Sequence, residues 1–203
     1  MLKKIIIIMA VSMFLFTGTA VLTAQDVIMG SAETIKPGNI KLGIFPMVIF
    51  GKNGGESIYG TAGRFGFALS SKSDIEGKIA ILKNLKYYGA DFEYWLIRNR
   101  NINASISLGL HMTQINSYTD SSGIDATFLI STRAKRNLEL CLGFKMAFDS
   151  KKNYNYGYTL IHIVPGLEYR LNKDLDFLAE FGISLNDDSN SYASIGLALY
   201  FQL

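Results

Sequence analysis

Arg64, Asp91, Glu93, Arg133, Glu139, Lys145 and Glu180 stand out among the ionisable side chains on the polar face of otherwise apolar, alternating segments, with Glu76, Lys78, Asp125, Glu168 and Asp176 on the same face. Charges of both signs in such surroundings can do two kinds of work. They can pair and lock an interior, because a charge taken out of water needs a partner. Alternatively, they can form a gate or line a path for ions. Catalytic chemistry has much less to draw on. His111 and His162 are the only histidines, and each reads as a hydrogen-bonded interior residue rather than a base. Cys141 is the only cysteine; it lies mid-strand beside Glu139, a neighbour that works against a nucleophilic thiolate. Nothing resembles a metal cluster or a phosphate loop, and "GKNGGES" at 51–57 reads as a flexible glycine loop. The expectation is a non-enzyme with no cofactor and no metal.

The elements that must position these charges have a period of two from Asn39 onward, with no convincing helical stretch. "INASISLGLHM" places Ile102, Ala104, Ile106, Leu108, Leu110 and Met112 on one face and Asn103, Ser105, Ser107, Gly109 and His111 on the other. "NLELCLGFKMAF", "DLDFLAEFGISL" and "KYYGADFEYWLI" repeat the pattern, and "SYASIGLALYFQL" ends the chain on it. Weaker strands read at about 39–50, 57–70, 75–83, 123–133 and 157–169, which brings the count to ten, with eight as the alternative. Each long strand has the ~9–11 residues that a tilted strand needs to cross a bilayer. Basic, tight connections ("SSKSD", "RNRN", "AKRN", "RLNKD") alternate with polar, mostly longer ones ("GKNGGES", "NSYTDSSG", "DSKKNYNYG", "NDDSNS"). "KNLK" at 83–86 is the short exception. A basic residue followed by Asn or Asp launches a strand at Arg100, Arg136 and Lys173, in steps of 36 and 37 residues. This is the hairpin rhythm of an up-and-down meander.

Alternation does not say which face is wet, since a soluble barrel and a membrane barrel share it. Four features favour the membrane. The polar face is crowded with small residues, among them Gly60, Ala62, Gly66, Gly89, Gly109, Gly143, Gly182, Gly196 and Ala198, which suits a narrow lumen. Its charges have both signs. The apolar face is nearly free of charge and carries Tyr88, Tyr94, Phe148, Tyr169 and Phe201 near its ends, as interfacial girdles would. Finally, Lys3 and Lys4, the apolar run 5–16 and the small residues up to Ala20 or Ala24 read as a cleaved, helical signal peptide over 1–24. Residues 25–38 then form a short N-terminal tail and 39–203 the barrel domain.

The last strand resembles the C-terminal strand of bacterial outer-membrane β-barrel proteins, at Ile195, Leu197, Leu199 and Phe201. Gln202 and Leu203 follow the aromatic residue that usually ends such strands. Signal, alternation and terminus together resemble the small OmpA- or OmpX-like barrels. That resemblance implies an antiparallel up-and-down transmembrane β-barrel in the outer membrane of a diderm bacterium, and recognition of the last strand by the barrel-assembly machinery. The histidines do not follow the His–Ser–Glu pattern of the outer-membrane lipid A deacylases, since Thr113 and Val164 stand two residues after them. Omptin-type proteases, also ten-stranded, are longer.

A closed barrel leaves no edge to satisfy, so the expectation is a monomer whose partners are outer-membrane lipids and the assembly machinery. Net charge falls from +3 to +1 when Lys3 and Lys4 leave with the signal, which excludes a nucleic-acid binder by bulk charge. The expected role is structural or surface, with a largely plugged lumen. A narrow channel for small solutes is one alternative, and a secreted soluble barrel holding an apolar ligand is another. Arg98, Arg100, Lys135, Arg136, Arg170 and Lys173 belong to the tight turns, where they would meet anionic headgroups on the periplasmic side.

Overall fold

The structure, a computed structural model, describes residues 32–52, 55–99, 101–115, 118–151 and 157–202. The expected signal peptide, Arg100 and Leu203 lie outside them. Ten antiparallel strands close into one barrel. They are β1 (Asn39–Ile49), β2 (Ile58–Ala68), β3 (Ser73–Leu82), β4 (Leu85–Arg98), β5 (Ile102–Ile115), β6 (Tyr118–Lys135), β7 (Leu138–Lys151), β8 (Gly157–Arg170), β9 (Leu175–Ser184) and β10 (Tyr192–Gln202). Every strand pairs with its sequence neighbours, and β10 returns to β1 with Phe201 opposite Ile40 and Leu197 opposite Ile44. The count is ten rather than eight. The regular last strand is therefore a closing seam: without it β1 and β9 would each present an unpaired edge.

The alternation sorts cleanly. Leu108, Leu110, Ile124, Leu142 and Phe181 are exposed on the outside, Leu110 at 67 %. Ser105, Ser107, Thr113, Thr127 and Ser131 on the same or adjacent strands are buried inside. The soluble alternative required Leu140 and Phe144 to line an internal pocket; both are exposed on the outer face, so that arrangement is not the one formed.

Two loops are shorter than the sequence suggested. "NSYTDSSG" is mostly strand, because β6 already begins at Tyr118, and β7 runs on to Lys151 within "DSKKNYNYG". The polar residues at these ends still close a ladder, with Ser121 opposite Lys151 and Ser122 opposite Ser150. Strand pairing satisfies their backbones without any need for apolar alternation.

Residues 32–38 are not a free tail. Lys36, Pro37, Gly38 and Asn39 form a turn closed by the Asn39 N–H donating to the Lys36 carbonyl at 3.0 Å, with Gly38 at φ +79°. Pro followed by a positive-φ Gly is the type II arrangement. It reverses the chain and folds residues 32–36 into the mouth of the barrel, where Ala32, Thr34 and Ile35 are buried. We call this end, where β1 begins, proximal, and the other end distal.

Candidate functional site

Three layers of residues succeed one another along the lumen. In the middle lies a belt of buried ion pairs. Lys41 on β1 meets Glu76 on β3 at 2.9 Å, and Arg64 on β2 reaches Glu76 at 3.3 Å and Asp91 on β4 at 3.8 Å. Lys78 also pairs with Asp91. Gly109 on β5 then lies between two carboxylates: a Cβ there would stand 2.5 Å from Asp91 Oδ1 and 2.8 Å from Asp125. Beyond it the belt resumes, with Asp125 facing Lys145 at 4.0 Å and His111 Nδ1 at 3.1 Å, and His111 Nε2 paired with Asp149. The strand register brings these residues to neighbouring positions around the wall, Gly109 opposite both Asp91 and Asp125.

Distal to the belt, the interior is filled mainly by apolar and aromatic side chains. Phe45, Ile49, Leu82, Leu85, Tyr87 and Tyr192 are almost wholly inaccessible and pack into one cluster with Ile58 and Met47. The rings lie against glycines of the wall. A Cβ on Gly43 or Gly196 would fall on the Phe45 ring, and one on Gly182 would fall on the Tyr192 ring. The Tyr87 ring covers Gly89 and stacks on His111 with centroids 5.4 Å apart. His162 sits edge-on to Tyr192 at 5.7 Å and its Nε2 lies 3.0 Å from the Asn190 carbonyl. The small residues of the polar face thus serve as seats for aromatic rings that fill the bore.

The proximal mouth holds the folded-back segment 32–38. The Ile35 N–H donates to Asp74 at 2.6 Å and the Ala32 N–H to Ser131 Oγ at 3.3 Å. Glu33 accepts from Arg133 at 3.0 Å and from Asn103 at 3.2 Å. Two cavities remain beside it, of about 390 Å³ and about 230 Å³, with Lys36 and Arg170 on both walls.

Arg64, Asp91 and Lys145 belong to the belt. Glu93 accepts from Ser105 and Glu139 from Ser131, below the belt toward the proximal end. Glu180 is buried on the inner face of β9. Arg133 is not inside; its side chain is 49 % exposed at the proximal rim. A register shift between Arg133 and Lys135 breaks the alternation there. Lys41, Asp149 and Glu33 complete the arrangement without standing out in the sequence; the signal for the segment that carries Glu33 is the Pro37–Gly38 pair. Among the described residues, no group of three His, Cys, Asp or Glu side chains could hold a metal ion. The C-terminal residues Leu197, Leu199 and Phe201 are exposed on the outer face.

No family model matches the chain, and no curated protein does. Solved structures do match. An outer-membrane channel from Pseudomonas putida F1 superposes with a TM-score of 0.60 over 87 % of this chain and 100 % of that one, at 6 % identity. The NanC porin superposes with a TM-score of 0.50 over 78 % of this chain and 98 % of that one, at 9 % identity. At such identities the likeness is one of fold. Closure, outward apolar face and superposition agree: the chain has the fold of the bacterial outer-membrane β-barrels.

Proposed function

We propose that the chain is a non-enzymatic, monomeric outer-membrane barrel with a structural or surface role and a lumen that does not conduct. Export through a cleaved signal peptide and insertion by the barrel-assembly machinery through Ile195, Leu197, Leu199 and Phe201 belong to the same reading. Its support for a membrane setting is the charge-poor, exposed outer face together with the shared fold. Its support for a closed lumen is one observation: Phe45, Leu82, Leu85, Tyr87 and Tyr192 are each 0–2 % exposed within the distal half. A water-filled path would leave at least some of these side chains wetted. The proximal turns, with Lys135, Arg136, Arg170 and Lys173, face the periplasm.

A narrow channel is the second reading. The ion-pair belt favours it, and so does the fold shared with an outer-membrane channel. Single-channel recording of the purified chain in planar bilayers tests the two. The proposal expects a silent bilayer with barrels demonstrably inserted. A reproducible unitary conductance would establish the channel instead.

A further inference from the structure

The 390 Å³ cavity at the proximal mouth has features that filling the lumen does not require. It is of the size of small-molecule sites. Trp95 and Arg98 line it, with the guanidinium 4.4 Å from the centre of the indole ring. In a regular strand, residues three apart point to opposite faces. The register slips between Trp95 and Ile97, and this bulge turns Arg98 back onto the side of Trp95. A second slip, between Arg133 and Lys135, flanks Arg133 on the same cavity.

Two polar groups on this wall point to a ligand. Trp95 is 8 % exposed and Thr34 is 6 % exposed, and neither the indole N–H nor the Thr34 hydroxyl has a hydrogen-bond partner among the described residues. An unpaired buried donor is costly, and such groups in a native cavity call for a partner. An indole N–H can only donate, so that partner must be an acceptor. The charge around the cavity says which kind. Glu33 answers Arg133, and Asp176 answers Arg170 at 3.6 Å. Lys36 and Arg98 remain as a surplus of two positive charges on the lining. Two positive charges, a planar guanidinium and a donor-only N–H suit an anionic phosphate group with several acceptor oxygens.

We propose that this cavity binds a phosphate monoester or diester, held by Lys36, Trp95 and Arg98, whether it comes from a soluble phosphorylated molecule or from the headgroup of an anionic phospholipid. The assignment is independent of whether the lumen conducts.

Trp95 is the only tryptophan in the chain, so its emission reports this site without labelling. The full chain in detergent micelles would be titrated with glycerol 3-phosphate, with inorganic phosphate and with glycerol. In nanodiscs, phosphatidylglycerol would be compared with phosphatidylcholine. A saturable emission change with the phosphate probes and none with glycerol supports a soluble ligand. A change only in phosphatidylglycerol discs supports a headgroup. In either case Arg98→Gln is expected to weaken binding about tenfold, the scale of one lost charge-assisted contact. Thr34→Val is expected to weaken it less. Heat-dependent gel mobility shows whether each variant is folded; Lys36→Gln replaces Arg98→Gln if the latter is not. No saturable change with any phosphate probe overturns the proposal, as does unchanged binding in a folded Arg98→Gln or Lys36→Gln variant.

Discussion

The ring of Phe45 occupies the space in which a side chain on Gly196 would begin. The two residues sit on paired strands, β1 and β10, at the seam that closes the barrel. A methyl group at position 196 must displace either the ring or the Ile44 carbonyl behind it. Gly196→Ala is therefore expected to cost about 1–3 kcal/mol, the usual range for overpacking a filled interior. Gly77 is the control: its nearest neighbour is the Phe65 carbonyl at 3.8 Å, so Gly77→Ala meets no obstacle. Urea unfolding of the two variants in micelles, followed by heat-dependent gel mobility, compares them. Equal stability would mean that the ring moves aside freely.

If the distal aromatic layer closes the bore, removing its rings should open it. Phe45→Ala combined with Tyr192→Ala deletes two fully buried rings that belong to one cluster. The double variant is expected to show unitary conductance where the parent shows none. It should also be less stable, by several kcal/mol, as truncations of buried aromatics are. A stable, inserted and silent double variant would place the block elsewhere in the lumen.

Much of this arrangement is legible in the sequence, because a period of two is a local signal. The outward set Ile102 to Met112 and the inward set Asn103 to His111 needed no knowledge of their partners. What local pattern does not carry is pairing at a distance and slips of register. The carboxylates on either side of His111 come from Asp125 and Asp149, 14 and 38 residues away. The alternation of "KYYGADFEYWLI" sets Trp95 on the same face as Asp91 and Glu93, but the bulge that follows it is a single extra residue and leaves no compositional mark. The ends of β6 and β7 look like loops in the sequence because their residues are polar, although ladder bonds hold polar and apolar strand alike. Segment 32–38 has no period at all, and its burial depends on one turn at Pro37–Gly38.

His111 joins two buried carboxylates, so its removal leaves both without their shared partner. His111→Ala is expected to destabilise the barrel by about 3–5 kcal/mol, as the loss of one member of a buried charged group does. Combining it with Asp149→Asn should recover part of that loss, because the second change removes a charge the first has stranded. A double-mutant cycle on denaturation midpoints measures the coupling. Additive effects would mean that the two residues do not interact in the folded barrel.

The outward face gives a test that depends on depth. Leu108 lies near the middle of β5 and is 58 % exposed, whereas Ile102 begins the same strand and is also exposed. In a lipid bilayer, Arg at the midplane of a barrel costs about 2–4 kcal/mol and near the interface about 0–1 kcal/mol. Leu108→Arg should therefore destabilise the protein in vesicles far more than Ile102→Arg does. In water the ordering has no reason to appear, since both side chains would be equally solvated and replacing an exposed apolar residue with a charged one costs little. Folding of both variants into phosphatidylcholine vesicles, measured by denaturant titration, yields the difference directly. Equal and small effects would mean that the apolar belt does not face lipid, and the membrane reading would fail with it.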